Sequence, residues 1–220
     1  MPVLTLFPES LANSVITTVW IGVMVAVFFT LRFGWNLSGL VVPGYMTPLL
    51  LVKPLSAGVV FIEGIVTYLL VHGFSERCSR FGWWSSLFGR DRFFGLVLVS
   101  VAVRLVGDGW LWPMVGELWN AHFQMDFDYR SDLHSFGLIV VSLIANQFWK
   151  TGLRSGWVPI FATVSLTCLI VRYGLMEFTN FSIGNLIYTY DNLAASLLAA
   201  PKAYIVLLIT ALLASRMNLY

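Results

Sequence analysis

Six windows of this chain are almost continuously apolar, and short segments carrying Arg, Asp, Glu or Gly separate them. They are Leu11–Leu31, Leu55–His72, Phe93 to about Val115, Ser135–Trp149, Gly156–Val171 and Leu193–Ala214. Each approaches the roughly 20 apolar residues that a helix needs to cross a bilayer. Ser135–Trp149 is short for a span and would extend into its flanks or lie in a thinned region. The pattern predicts an all-α polytopic integral membrane protein, organised as a single transmembrane helical domain over residues 1–220. The opening MPVLTLFPES has no basic n-region and no small-residue cleavage site close behind its apolar run, so the first helix is read as retained.

A seventh apolar stretch breaks the pattern. Asn36–Leu50 reads NLSGLVVPGYMTPLL and carries Pro43, Gly44 and Pro48. Pro43 removes an amide donor and disfavours helix at Val42, and Gly44 permits a sharp turn. Non-helical backbone at membrane depth persists only where protein or a water-filled cavity satisfies it. The segment near 36–52 is therefore either a kinked helix or a re-entrant, discontinuous element. A crossing gives seven spans and an outside N-terminus; a dip and return gives six and an inside one.

Composition agrees with the bilayer reading: of 220 residues 58% are hydrophobic and 11% charged. Mean hydropathy is +0.81. The charges are asymmetric. Arg77, Arg80, Arg90 and Arg92 fall between the second and third windows, Lys150 and Arg154 follow the fourth, and Arg216 follows the last. Alternation puts all of these on one face, which the retention of basic loops identifies as cytoplasmic, with segment 74–92 its main basic loop. The opposite face collects Glu117, Asp126, Asp128, Asp132, Glu177 and Asp191, with Arg130 and Arg172. Trp83, Trp84, Trp110, Trp112, Trp119 and Trp149 fall near expected helix ends, where indoles favour the interface.

Three charges lie inside apolar windows: Glu63, Arg104 and Lys202. Each costs about 2.5 kcal/mol or more at the bilayer centre, so each should face the bundle interior and find a partner. Asp108 shares a helix face with Arg104, four residues away. The expected pairs are Arg104 with Asp108 and Glu63 with Lys202. They serve either as ion pairs fixing helix register or as a polar path for an anionic substrate.

Further chemistry is sparse. Cys78 and Cys168 suggest neither a disulfide framework nor a zinc pattern. His122, Asp126, Asp128, Asp132 and His134 crowd one outer loop, at spacings that match no defined metal site and fit a solvated acidic loop better. There is no Walker A, HExxH, GxSxG or Rossmann fingerprint. These observations predict no catalytic centre, no cofactor and no metal.

GLVVPGY at Gly39–Tyr45, followed after one helix by LFGRDRFFGLVL at Leu87–Leu98, resembles the PgsC/CapC membrane proteins of poly-γ-glutamate biosynthesis. It is similar also to the seven-helix membrane domain fused to inactive transglutaminase-like domains. The resemblance covers about Arg32 to Val106, after which this chain continues through three further helices.

The resemblance implies a membrane subunit that works with an ATP-dependent amide ligase and other membrane subunits in the bacterial cytoplasmic membrane, an oligomeric assembly without nucleic acid. Pro43, Gly44, Glu63, Arg104, Asp108 and Lys202 would then shape a polymer route. Arg77, Arg80, Arg90 and Arg92 would dock the ligase, its polyanionic product or anionic lipid. The alternatives are a small-solute transporter or channel, and a non-conducting scaffold. The ending Leu212–Tyr220 loosely parallels Phe28–Asn36, which predicts that a longer native chain would continue into a second broken segment.

Overall fold

The computed structural model describes residues 11–52, 54–80, 89–123 and 137–175, together with 205, 208, 209, 212 and 213. Every regular element among them is helical: α1 (Leu11–Phe33), α2 (Val42–Val52), α3 (Pro54–Arg80), α4 (Gly89–Val106), α5 (Trp112–Phe123), α6 (Gly137–Thr151) and α7 (Leu153–Leu169). A π-turn, Gly107–Leu111, joins α4 to α5, and a second, Ile170–Leu175, extends α7. Four of the described stretches are long and apolar enough to cross a membrane: Val15–Phe33, Pro54–Arg77, Asp91–Ala121 and Leu153–Leu175. At 15 residues α6 is shorter than these. Most of the expected Leu193–Ala214 span lies outside the described residues.

The exposed surfaces fit a lipid solvent. Trp20, Met24 and Leu31 on α1 and Phe94, Leu98 and Leu105 on α4 all point outward. In water such surfaces would be aggregation-prone patches; hydrocarbon tails solvate them at no cost. Several buried hydroxyls are satisfied within their own helices, as a lipid solvent favours. Thr18 donates to the Val15 carbonyl at 2.8 Å, Ser100 to Val97 at 2.7 Å, and Thr167 to Thr163 at 2.7 Å.

Backbone contacts divide the chain into two compact units: residues 1–54 with 151–220, and residues 55–150. In the first, α1, α2 and α7 pack together. Val25, Phe29, Val158 and Ala162 form a cluster covered by Ile21, Trp35 and Trp157. Gly34, at φ 68°, ends α1, and its amide donates to the Thr30 carbonyl at 3.0 Å.

The Pro-Gly segment has a specific explanation here. Residues 34–41 are non-helical and α2 starts at Val42, its first bond running from the Tyr45 amide to the Val41 carbonyl at 3.1 Å. Pro43 thus sits in the first turn of a new helix, where an amide has no intrahelical acceptor and its loss costs nothing. The kinked-helix alternative does not hold. With 11 residues, α2 is about 16 Å long, a half-length helix, as expected for a discontinuous element. Gly44 lets α2 lie backbone to backbone on α1: a Cβ there would stand 2.3 Å from Val19 Cα, and one on Gly22 would stand 2.4 Å from the Gly44 nitrogen. Behind this contact, Thr47 donates to the Pro43 carbonyl at 2.7 Å and accepts a 3.6 Å bond from Cys168 Sγ of α7.

In the second unit α3 packs on α4 and α6. Val71, Leu96 and Ala145 form a buried cluster with Tyr68, Val99 and Trp149 around it. Gly64 brings α3 close to α6, since a Cβ there would stand 2.7 Å from the Ile144 side chain. Phe61 and Phe148 meet edge to face at 5.9 Å.

Candidate functional site

The second unit carries a charged constellation in its interior. Glu63 comes from α3, Arg104 from the last turn of α4, Asp108 from the π-turn and Trp112 from the start of α5. The side chains of Glu63 and Arg104 are 2% and 6% exposed, while that of Asp108 is 31% exposed. Arg104 Nη1 stands 3.5 Å from Glu63 Oε2, and Arg104 Nε stands 3.7 Å from Asp108 Oδ2. Trp112 Nε1 donates to Glu63 Oε1 at 3.0 Å. One guanidinium therefore lies between two carboxylates, and an indole N–H holds the more deeply buried one.

Helix geometry explains how Trp112 arrives there. Two turns of uninterrupted α-helix after Arg104 would bring Leu111, about seven residues on, to the Arg104 face. The π-turn inserts one residue, and the Trp112 amide bonds to the Gly107 carbonyl five positions back. Trp112 consequently takes the inward phase at 6% exposure, and Leu111 is left half exposed. Gly107 makes room for the ring: a Cβ at 107 would lie 2.8 Å from Trp112 Nε1 and 3.5 Å from Glu63 Oε1.

Depth follows from the same rise per residue. Arg104 lies twelve residues beyond Arg92, and Glu63 fourteen before Arg77, or about 18 and 21 Å from the basic end of the unit. A hydrocarbon core about 30 Å thick laid over these helices from the basic end would take in both charges. The two Arg104–carboxylate separations are longer than the roughly 2.8 Å of a tight charge-assisted bond.

At the basic end, Arg77 and Arg80 are exposed on the last turns of α3. The Arg92 guanidinium lies 5.8 Å from the Trp149 ring centroid. His72 packs against the same ring at 5.3 Å and approaches Glu76 at 3.8 Å. A polar cavity of about 290 Å³ opens there, lined by His72, Ser75, Glu76, Ser79, Arg80 and Trp149.

The sequence-predicted residues thus separate. Glu63, Arg104 and Asp108 come together, with the expected Arg104–Asp108 pair present and Glu63 also on Arg104. Lys202, the partner expected for Glu63, lies outside the described residues, as does the acidic loop Asp126–His134. Pro43 and Gly44 belong to the first unit. Arg90 is in the first turn of α4, and nothing is described of its side chain. The sequence pattern points to neither Trp112 nor Gly107: nearness to a helix end assigns Trp112 to the interface, a place that suits Trp110 at 84% exposure instead. The available signal was GDGWLW, two glycines inside an apolar span. No group of three or more His, Cys, Asp or Glu among the described residues could hold a metal ion.

Comparison with known proteins extends this picture beyond the segment whose motifs first suggested it. Residues 21–156 match the family model for capsule biosynthesis CapC, a wider region than the expected Arg32 to Val106. The chain is 32% identical over 133 residues to a capsule biosynthesis protein CapC of Bacillus anthracis, covering 60% of this chain and 76% of that protein. It is 28% identical over 134 residues to a PGA biosynthesis protein CapC of Bacillus subtilis (strain 168), with the same coverage. No solved structure matches it. The family match takes in α2, Glu63, Arg104, Asp108 and the basic end of α3 alike, and the chain belongs to the CapC family of capsule biosynthesis proteins.

Proposed function

We propose that this chain is a membrane subunit of a system that makes and exports poly-γ-glutamate or a related amide-linked polymer. It anchors an ATP-dependent amide ligase at the bacterial cytoplasmic membrane and assists passage of the product. The observation that carries the reading is the family match across residues 21–156, which contains the buried Glu63–Arg104–Trp112 constellation. In this reading the end bearing Arg77, Arg80 and Arg92 faces the cytoplasm. The exposed Arg77 and Arg80 guanidiniums and the cavity beside Trp149 meet the ligase or the carboxylates of its product. Activation of glutamate as an acyl phosphate belongs to the ligase, since this sequence has no phosphate-binding loop.

A second reading, a transporter for a small solute, draws on the half-length α2 and the buried charges, both of which recur in transporters. The two part on one experiment. Deleting the gene in its native host and measuring γ-linked glutamate on the cell surface after hydrolysis should show polymer loss that the gene restores. Unchanged polymer in the deletion strain would reject the first reading and leave the second.

A further inference from the structure

The polar cavity at the basic end of the second unit is built mainly from one helix face. His72, Ser75, Glu76, Ser79 and Arg80 of α3 line it together with Trp149 of α6. Their spacing, i, i+3, i+4, i+7 and i+8, is that of a single face. Phe74, on the opposite side of α3, is 57% exposed. The polar face is thus turned toward a neighbouring helix and the apolar one away from it.

Donors in this lining are unmatched. Ser75 is 9% exposed, and unlike the hydroxyls of Thr18, Ser100 and Thr167 it makes no hydrogen bond among the described residues. Nothing among the described residues pairs with Arg80. Arg92, against the same Trp149 ring, buries its Nε without a hydrogen-bond partner. Glu76 is the acid among these groups. Its side chain is 64% exposed and stands 3.8 Å from His72 Nδ1, beyond hydrogen-bond distance, so its carboxylate is open to a donor.

Such a set calls for a ligand that carries an anion and an N–H side by side. Glu76 and Arg80 are four residues apart, which puts their Cβ atoms about 5–6 Å from each other, so the ligand's two groups must be close as well. A simple anion would satisfy Arg80 and be repelled by Glu76. In a γ-linked glutamate chain a single carbon bears both the free carboxylate and the amide N–H. In an α-linked chain the whole side chain separates them.

We propose that this pocket binds one repeat of a γ-linked glutamate chain, its carboxylate accepting from Arg80, its amide N–H donating to Glu76, and Ser75 supplying a further hydrogen bond. The identity of the ligand rests on the polymer reading. Because Glu76 and Arg80 are exposed, the rest of the chain extends outward from the pocket.

The test measures binding to the full chain, purified in mild detergent, by calorimetric titration with a synthetic γ-linked glutamate trimer and its α-linked isomer. It is run at physiological salt, where exposed charges more than about 8 Å apart are largely screened. Wild type should bind the γ-linked trimer about tenfold or more tightly than the α-linked one. Arg80→Gln, at an exposed position, should lower that affinity about tenfold or more by removing a charge-assisted bond, and Ser75→Ala about two- to tenfold. Lys150→Gln removes the same charge from an exposed position outside the lining and should change affinity less than about twofold. Equal affinity for the two trimers, or equal losses in Arg80→Gln and Lys150→Gln, would overturn the inference. So would displacement of the γ-linked trimer by an equal concentration of glycerophosphoethanolamine, since the occupant would then be a lipid headgroup. No binding by wild type, in a host whose deletion strain loses its polymer, would overturn the inference and leave the polymer reading standing. Arg80-dependent binding with unchanged polymer in the deletion strain would uphold the site and reject that reading.

Discussion

Replacing Gly107 with alanine tests how the buried charge site is built. The added methyl would meet Trp112 Nε1 at 2.8 Å and Cδ1 at 3.2 Å, closer than side chains tolerate, so the indole must move. Moving it costs about 1–3 kcal/mol in overpacking. It also breaks the 3.0 Å bond to Glu63, and leaving a buried acceptor unsatisfied costs about 1–3 kcal/mol more. Alanine returns about 0.5–1 kcal/mol of helix preference over glycine. The net expectation is a loss of about 2–4 kcal/mol, or a melting temperature lower by roughly 5–15 °C for a chain of this size. The assay is thermal unfolding in detergent, run as a double-mutant cycle with Trp112→Leu. Without the indole, the nearest remaining atom is Glu63 Oε1 at 3.5 Å, an ordinary contact. Gly107→Ala should then be neutral or slightly stabilising. A substitution harmless in the wild type, or equally harmful in both backgrounds, would refute the reasoning.

Gly22→Ala and Gly44→Ala should each destabilise the first unit by more than the roughly 1–3 kcal/mol usual for overpacking, because the clash is with backbone. Gly58→Ala and Gly73→Ala, with nothing within 4 Å, should not, as unfolding midpoints will register. Arg104→Leu alone should cost about 3–5 kcal/mol by stranding Glu63, and Glu63→Gln combined with Arg104→Gln should recover most of it. If the pair serves polymer passage, that double variant accumulates in the membrane yet yields less product; full output would make the pair structural. Cys78 should resist a membrane-impermeant thiol reagent in intact cells and react after lysis, and labelling before lysis would reverse the proposed orientation.

Hydropathy made the long helices legible because a bilayer demands length and apolarity together, and α1, α3, α4 and α7 all meet that demand. Glu63 and Arg104 were legible for the converse reason: charges in apolar windows must be buried and matched. Their contact was not, because the two lie on different helices and only packing brings them together; Asp108 could be assigned from its i+4 spacing alone. Pro43 and Gly44 signal a broken segment, but both lie in the first turn of α2, and the non-helical backbone is the stretch before them, residues 34–41. Yet a proline that interrupts a helix and one that begins a helix look alike until the preceding residues are seen to be non-helical. Trp112 was hidden by a change of helical phase, since the π-turn moves an apparently interfacial indole onto the inward face that Leu111 would have held.

In the proposed function this chain works with an amide ligase to produce a polymer. The direct measurement supplies membranes containing the chain, its ATP-dependent ligase and ATP with labelled glutamate, then follows label into γ-linked polymer. Ligase together with the chain should produce long polymer, and either component alone should produce little or none. Polymer made by the ligase equally well without the chain would contradict the account.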